Sequence, residues 1–246
     1  MAAAGSGERL GAGGPKALVP LAGRPMLEWS LAAFGACPGV AAIVVAAPPG
    51  AVPGSVDRPP EEGPAGPVEG GGGAPVRYVA GGATRAESVG NALALVETEL
   101  VAIHDAARPL VTPALVQALL AALEAAPQAA GVIAAAPVTD TIKRAGSSST
   151  LTTKYVGNVE LRVTETIDRS ALWGAQTPQV FRTAVLREAL AVDEATRDAA
   201  TDEAMLVERA GGAVLIHHCV EPNLKVTTPL DLRVAELLLA ERGTAR

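Results

Sequence analysis

The sequence predicts an α/β fold: a single doubly wound, mainly parallel sheet of the nucleotidyltransferase (Rossmann-like) kind, with a projecting β-arm. Two observations carry this expectation. Apolar runs of strand length alternate with longer segments of helical period, the pattern of βαβ units with helices on both faces of a sheet. Hydrophobic residues make up 49% of the chain but aromatics only 2%, so the core must be built from Ala, Val, Leu and Ile in close helix-on-sheet layers. With 246 residues, one domain has ample chain for a buried core.

Taken in order, strands are expected over residues 42–46, 76–79, 100–104, 131–135 and 213–217, and helices over 25–34, 85–97, 113–125 and 229–241. Two stretches break the alternation. Residues 48–75 are rich in Pro and Gly, include four consecutive glycines at 70–73 and have no hydrophobic period, which predicts a mobile surface loop. Residues 140–168 are different in kind: Leu151, Thr153, Tyr155, Val156, Val159, Leu161, Val163 and Thr166 surround a Gly157-Asn158 turn, which predicts the β-arm.

Composition excludes several classes. No apolar run approaches the roughly 18 residues of a membrane span, and residues 1–14 lack the basic and apolar regions of a signal peptide, so a cytoplasmic protein is expected. A net charge of −6 argues against a nucleic-acid polymer as partner. Cys37 and Cys219 are too few for a disulfide framework. His217, His218 and Cys219 are consecutive in an expected strand, where side chains alternate faces, so they are read as structural rather than as a metal site.

The chemistry begins at the first residues. Ala3-Ala4-Gly5-Ser6-Gly7-Glu8-Arg9-Leu10 is followed by Gly14-Pro15-Lys16 and by Leu21-Ala22-Gly23-Arg24-Pro25. Small residues at Gly5 and Gly7 let backbone N–H groups approach phosphate oxygens, and Arg9 and Lys16 can neutralise a triphosphate. The segment is neither a P-loop, since Ala17 follows Lys16, nor a dinucleotide fingerprint, since Leu10 fills the third glycine position. Asp105 closes an apolar run and so should lie at the carboxyl end of a parallel strand, where open α/β sheets bind ligands and a carboxylate can hold Mg²⁺ against phosphates.

Further motifs follow in order: Gly81-Gly82-Ala83-Thr84-Arg85-Ala86-Glu87-Ser88, His104-Asp105-Ala106-Ala107-Arg108-Pro109, Pro137-Val138-Thr139-Asp140-Thr141, Gly174-Ala175-Gln176-Thr177-Pro178-Gln179, Thr201-Asp202-Glu203-Ala204 and Asn223-Leu224-Lys225-Val226-Thr227. Together they resemble the 2-C-methyl-D-erythritol 4-phosphate cytidylyltransferase family of the non-mevalonate isoprenoid pathway, over nearly the whole chain. The resemblance implies transfer of the cytidylyl group of CTP to 2-C-methyl-D-erythritol 4-phosphate, with release of pyrophosphate. It implies Arg9, Lys16 and Lys225 as catalytic contacts to the triphosphate, and Ala4, Gly5, Gly7, Gly82, Ser88 and Asp105 as nucleotide-binding positions. Asp105 is the implied Mg²⁺ contact; the family's second acidic contact falls near Glu221 and Pro222 and is left unassigned. Arg108, Thr141, Arg169 and Thr177 match contacts to the acceptor, some of them delivered by a second subunit, so a homodimer clasped through the β-arm is implied.

A departure accompanies the resemblance: the family carries an apolar strand before its Ala-Ala-Gly loop, whereas almost nothing precedes Gly5 here, so the first strand is expected to be missing. Two alternatives stand beside the main reading. One is a cytidylyltransferase for another polyol phosphate such as ribitol 5-phosphate; the other is a non-catalytic nucleotide-binding dimer.

Overall fold

The computed structural model describes residues 1–5, 7, 10, 14–48, 73–147 and 161–244. Arg9, nearly all of the 48–75 stretch and the Gly157-Asn158 turn lie outside the described residues. A tiny hairpin, β1 (Pro20–Leu21) with β2 (Arg24–Pro25), leads into α1 (Met26–Gly35), followed by β3 (Ile43–Ala47), β4 (Val76–Ala80), α2 (Arg85–Leu93), β5 (Leu100–Ile103), α3 (Pro113–Glu124) and β6 (Gly131–Pro137). Next come β7 (Ile142–Ser147), β8 (Leu161–Ile167), β9 (Trp173–Arg182), α4 (Thr183–Leu190), α5 (Glu194–Asp198), α6 (Glu203–Arg209), β10 (Val214–His218) and α7 (Pro229–Thr244).

Strands β10, β6, β9 and β5 form one sheet in that order, and β3 pairs with β4 in parallel. The two parts are joined by the first residues of the chain. Ala2 makes parallel bridges to Ala46 at the end of β3 and to Asp105 just past β5. Its N–H donates to the His104 carbonyl at 2.8 Å, while the Ala3 N–H donates to the Ala46 carbonyl at 2.9 Å. The segment before Gly5 therefore does sit between two strands, as a stub of about one bridge on each side rather than a full strand.

Strand β9 runs antiparallel to both β5 and β6, whereas β6 and β10 are parallel. The sheet is thus mixed and mainly parallel, with helices on both faces. One layer gathers Phe34, Val116, Leu119, Leu120 and Leu123 from α1 and α3; the opposite layer gathers Val89, Leu93, Leu186, Leu190, Leu206 and Val207 from α2, α4 and α6. A third cluster, Leu21, Met26, Leu110, Val226 and Ala235, ties α7 to the hairpin beside α1.

Sequence patterning finds the long elements and misses those between residues 169 and 212. Strand β9 buries five consecutive residues, Thr177 through Phe181, so period-two alternation is absent, and α5 and α6 are too short for a helical period to register. Strands β7 and β8 pair antiparallel within the 140–168 stretch, with a register shift at Arg144/Ala145. No helix among the described residues is long and apolar enough to cross a membrane.

Candidate active site

A cleft of about 570 Å³ opens at the carboxyl ends of the parallel strands, and Ala4, Gly5, Gly7, Lys16, Gly82, Ser88, Asp105 and Lys225 all line it. They arrive there for separate local reasons. The loop after Ala4 folds back on itself: the Lys16 N–H donates to the Gly5 carbonyl at 3.0 Å. Gly7 has φ +75°, and a Cβ there would meet the Gly14 carbonyl oxygen at 2.8 Å, so only glycine allows this return. Gly81 serves close approach instead: its Cβ would lie 2.4 Å from that of Ala4, where the two loops touch.

The second loop ends in the N-terminus of α2. Thr84 caps it, its side-chain oxygen accepting from the Glu87 N–H at 3.1 Å, while Glu87 reaches back to accept from the Ala83 N–H at 2.8 Å. This reciprocal arrangement is a variant of the capping box. Ser88 is buried, and its hydroxyl donates to the Thr84 carbonyl while accepting from the Gly82 N–H. The loop is therefore prefixed, and the positive end of the α2 dipole faces the cleft.

Asp105 is the electrostatic centre. One carboxylate oxygen accepts from Arg85 Nε at 3.0 Å and the other from Lys225 Nζ at 2.7 Å. Burial would raise the pKa of this carboxyl, but the Arg85 guanidinium and then the Lys225 ammonium outweigh it and hold Asp105 well below the usual range. Arg85 also reaches Glu203, whose two oxygens accept from one guanidinium nitrogen at 2.7 and 2.8 Å and whose side chain is 1% exposed. Burial pushes the Glu203 pKa up, and the Arg85 guanidinium opposes that shift without cancelling it. Arg85 and Glu203 both fall within sequence motifs, yet spacing assigns neither a role, because their partners are far away along the chain.

Beneath Asp105 lies His104, fully buried. Its Nδ1 is 3.2 Å from Thr177 Oγ1 and its Nε2 is 3.2 Å from the Arg108 carbonyl and 3.3 Å from Ser30 Oγ. Thr177 Oγ1 accepts from the Asp105 N–H at 3.0 Å, so the Thr177 hydroxyl hydrogen is free to go to Nδ1, leaving Nε2–H for the Arg108 carbonyl. Burial lowers the His104 pKa to about 3, keeping the ring neutral. The folded pKa lies below the unfolded value near 6.5, so the folded chain binds fewer protons and stability drains away as pH falls from about 6.5 towards 3. The largest such loss, about 5 kcal/mol, is reached only below about pH 3, where the folded histidine is protonated as well. His104→Gln is expected to flatten the decline of the urea midpoint between pH 6.5 and 4; an unchanged decline would assign it elsewhere.

The positions matched to the acceptor divide. Thr177 is 4% exposed, with its hydroxyl engaged as above. Arg108 donates to the Asn223 carbonyl at 2.7 Å and lies across the β9 segment at Ala175, 3.5 Å away. Asn223 in turn donates to the Thr177 carbonyl and to Gln176 Oε1, which locks the segment before Lys225 to β9. Thr141 and Arg169 are exposed at the base of the β7–β8 ribbon and do not line the cleft. Glu221 faces Arg242 at 3.5 Å rather than Asp105. His217 is partly buried, His218 exposed and Cys219 buried, in keeping with alternation along an edge strand.

The model of the family described as 2-C-methyl-D-erythritol 4-phosphate cytidylyltransferase matches residues 1–241. The chain belongs to this cytidylyltransferase family. It is 43% identical to the 2-C-methyl-D-erythritol 4-phosphate cytidylyltransferase of Parasynechococcus marenigrum (strain WH8102), over 98% of this chain and 97% of the relative. Against the enzyme of the same name from Synechococcus sp. (strain WH7803) the identity is 39%, covering 98% of each. Among solved structures, the crystal structure of the Thermus thermophilus enzyme superposes with a TM-score of 0.68 at 34% identity, covering 93% of this chain and 95% of that one. The α/β fold, the order of the motifs and the transfer of a cytidylyl group belong together in this family.

Proposed function

We propose that the cleft binds CTP and that the phosphate of 2-C-methyl-D-erythritol 4-phosphate attacks its α-phosphorus, giving 4-diphosphocytidyl-2-C-methyl-D-erythritol and pyrophosphate. The observation that carries this reading is the convergence of Lys16, Asp105 and Lys225 on one cleft floored by glycine-loop backbone, in a chain of this family. The acceptor phosphate has a second pKa near 6, so at neutral pH its oxygen is largely ionised and no general base is required. A bond forms from that oxygen to the α-phosphorus, the bond from the α-phosphorus to the bridging oxygen breaks, and pyrophosphate leaves with the electron pair. The residues then act by positioning and by charge.

In this reading Arg9 and Lys16 neutralise the triphosphate, and Lys225 changes partner, from Asp105 to a phosphate oxygen. Mg²⁺ is the proposed metal. Asp105 suits it as a single carboxylate, because Mg²⁺ commonly binds through one or two carboxylates together with substrate phosphates. Among the described residues no group of three His, Cys, Asp or Glu could hold a metal, which fits an ion that arrives with its nucleotide. When bound, it offsets charge on the phosphate oxygens. Arg108, Thr141, Arg169 and Thr177 are proposed for the acceptor side. The exposed positions of Thr141 and Arg169 support delivery of an arm to a neighbouring copy's cleft, in a homodimer placed in the cytoplasm.

The direct test offers CTP and Mg²⁺ with methylerythritol 4-phosphate and ribitol 5-phosphate in parallel and measures pyrophosphate. Release with the first alone is expected. Release with ribitol 5-phosphate alone would move the acceptor, and CTP binding without release from either would make the chain a binding protein. Lys16→Ala is expected to lower kcat/KM about 100-fold with Tm unchanged, as removal of one charged donor to a developing charge does; turnover near normal would remove Lys16 from the reaction.

A further inference from the structure

Asp105 and Arg108 are the two ends of one turn. Past β5 the chain reverses through Asp105-Ala106-Ala107-Arg108, closed by the Arg108 N–H donating to the Asp105 carbonyl at 2.9 Å. The Asp105 side chain lines the cleft at one end, and the Arg108 guanidinium leaves toward Asn223 and Ala175 at the other. The segment that carries Lys225 docks on the same turn, where the Val226 N–H donates to the Ala107 carbonyl at 2.8 Å. How this turn sits therefore sets where Asp105, Arg108 and Lys225 start from.

Closure of the turn leaves its outer groups, the Asp105 N–H and the Arg108 C=O, to be held from elsewhere. Both lead to one imidazole. The Asp105 N–H donates to Thr177 Oγ1, which is 3.2 Å from His104 Nδ1, and the Arg108 carbonyl is 3.2 Å from His104 Nε2. A carbonyl can only accept, so the bond to Arg108 needs the proton on Nε2, and Nδ1 is left to accept from Thr177. The ring is itself held: it is fully buried, Phe34 packs against it with centroids 5.1 Å apart, and Ser30 of α1 lies 3.3 Å from Nε2. Arg108 has need of such an anchor. Among the described residues its side chain donates only to backbone carbonyls, and its Nε is buried without a hydrogen-bond partner.

We infer that His104 is a positioning residue for the proposed reaction: its Nε2–H on the Arg108 carbonyl, with its Nδ1 on Thr177, fixes the acceptor-side arginine relative to Asp105 on the nucleotide side. This role rests on the acceptor-side reading of Arg108 given above. His104 does not line the cleft, so it acts only through the turn and through β9. A ring with two nitrogens on opposite sides suits the task, because one rigid group spans both ends of the turn and a neutral imidazole offers one donor and one acceptor.

Two amides divide the ring's bonds between them. Glutamine carries its NH₂ to about the place of Nε2 and keeps a donor for the Arg108 carbonyl; asparagine ends at about the place of Nδ1, where its oxygen accepts from Thr177, and leaves that carbonyl without a donor. His104→Asn is expected to raise the KM for methylerythritol 4-phosphate roughly tenfold with the KM for CTP within about twofold of native, and His104→Gln to leave both within about twofold. Each variant loses one buried bond and some Tm, so a histidine that only stabilises the core predicts two variants that behave alike. An equal acceptor KM in the two, or a larger rise with glutamine, would overturn the role. Should either variant fail to fold, the ring nitrogen resonances of isotope-labelled His104 in the native chain decide: a proton on Nε2 is expected, and one on Nδ1 would overturn the assignment. A native chain that turns over neither acceptor, or Arg108→Ala with an unaltered acceptor KM, would bring down the acceptor-side reading itself and this role with it.

Discussion

Asp105→Asn is expected to lower kcat/KM by about 1000-fold and to raise the Mg²⁺ concentration needed for half-maximal rate. Asparagine keeps the shape and removes the charge. In the native cleft that single carboxylate, buried and ionised, faces Arg85 on one oxygen and Lys225 on the other. With Asn, one cation must face an amide NH₂, donor against donor, and the two positive groups repel each other across a neutral centre. Lys225 would lose the contact that parks it at the cleft, and a metal arriving with its nucleotide would lose its carboxylate. Pyrophosphate release measured across a Mg²⁺ series decides this. A variant with unaltered Mg²⁺ response and near-normal turnover would mean that Asp105 organises neither cations nor metal.

The second large effect is on stability. Arg85→Met leaves Glu203 buried without its guanidinium, and breaking such a pair typically costs about 3–5 kcal/mol. For a chain of this size that corresponds to a fall in Tm of roughly 10 °C. The double variant Arg85→Met with Glu203→Met should recover most of that loss, because no uncompensated charge remains in the core. Activity should not recover with it: Asp105 would still lack one of its two cations. Thermal melts and turnover on the same three proteins separate the two roles. Full recovery of both would make Arg85 purely a partner for Glu203, and no loss of Tm in the single variant would show that Glu203 finds another partner.

The site is legible from sequence where its residues act through their own loop. Gly5, Gly7, Lys16, Gly82 and Ser88 stand within short motifs whose spacing reports a turn or a helix start, and Asp105 stands at the end of an apolar run. Thr177 is legible only as a motif position. Its burial, and the path from its hydroxyl to His104, depend on β9 running antiparallel between β5 and β6. That strand has no alternating pattern to announce it.

The sequence by itself determined the α/β class, the long strands and helices, the glycine loops and the family, because periodicity and motif spacing are properties of neighbouring residues. Tertiary structure alone decided the rest. Arg85 meets Asp105 across 20 residues and Glu203 across 118, and Lys225 meets Asp105 across 120. No local pattern encodes such distances; they exist only once β5, α2, α6 and the segment before α7 are packed around one point.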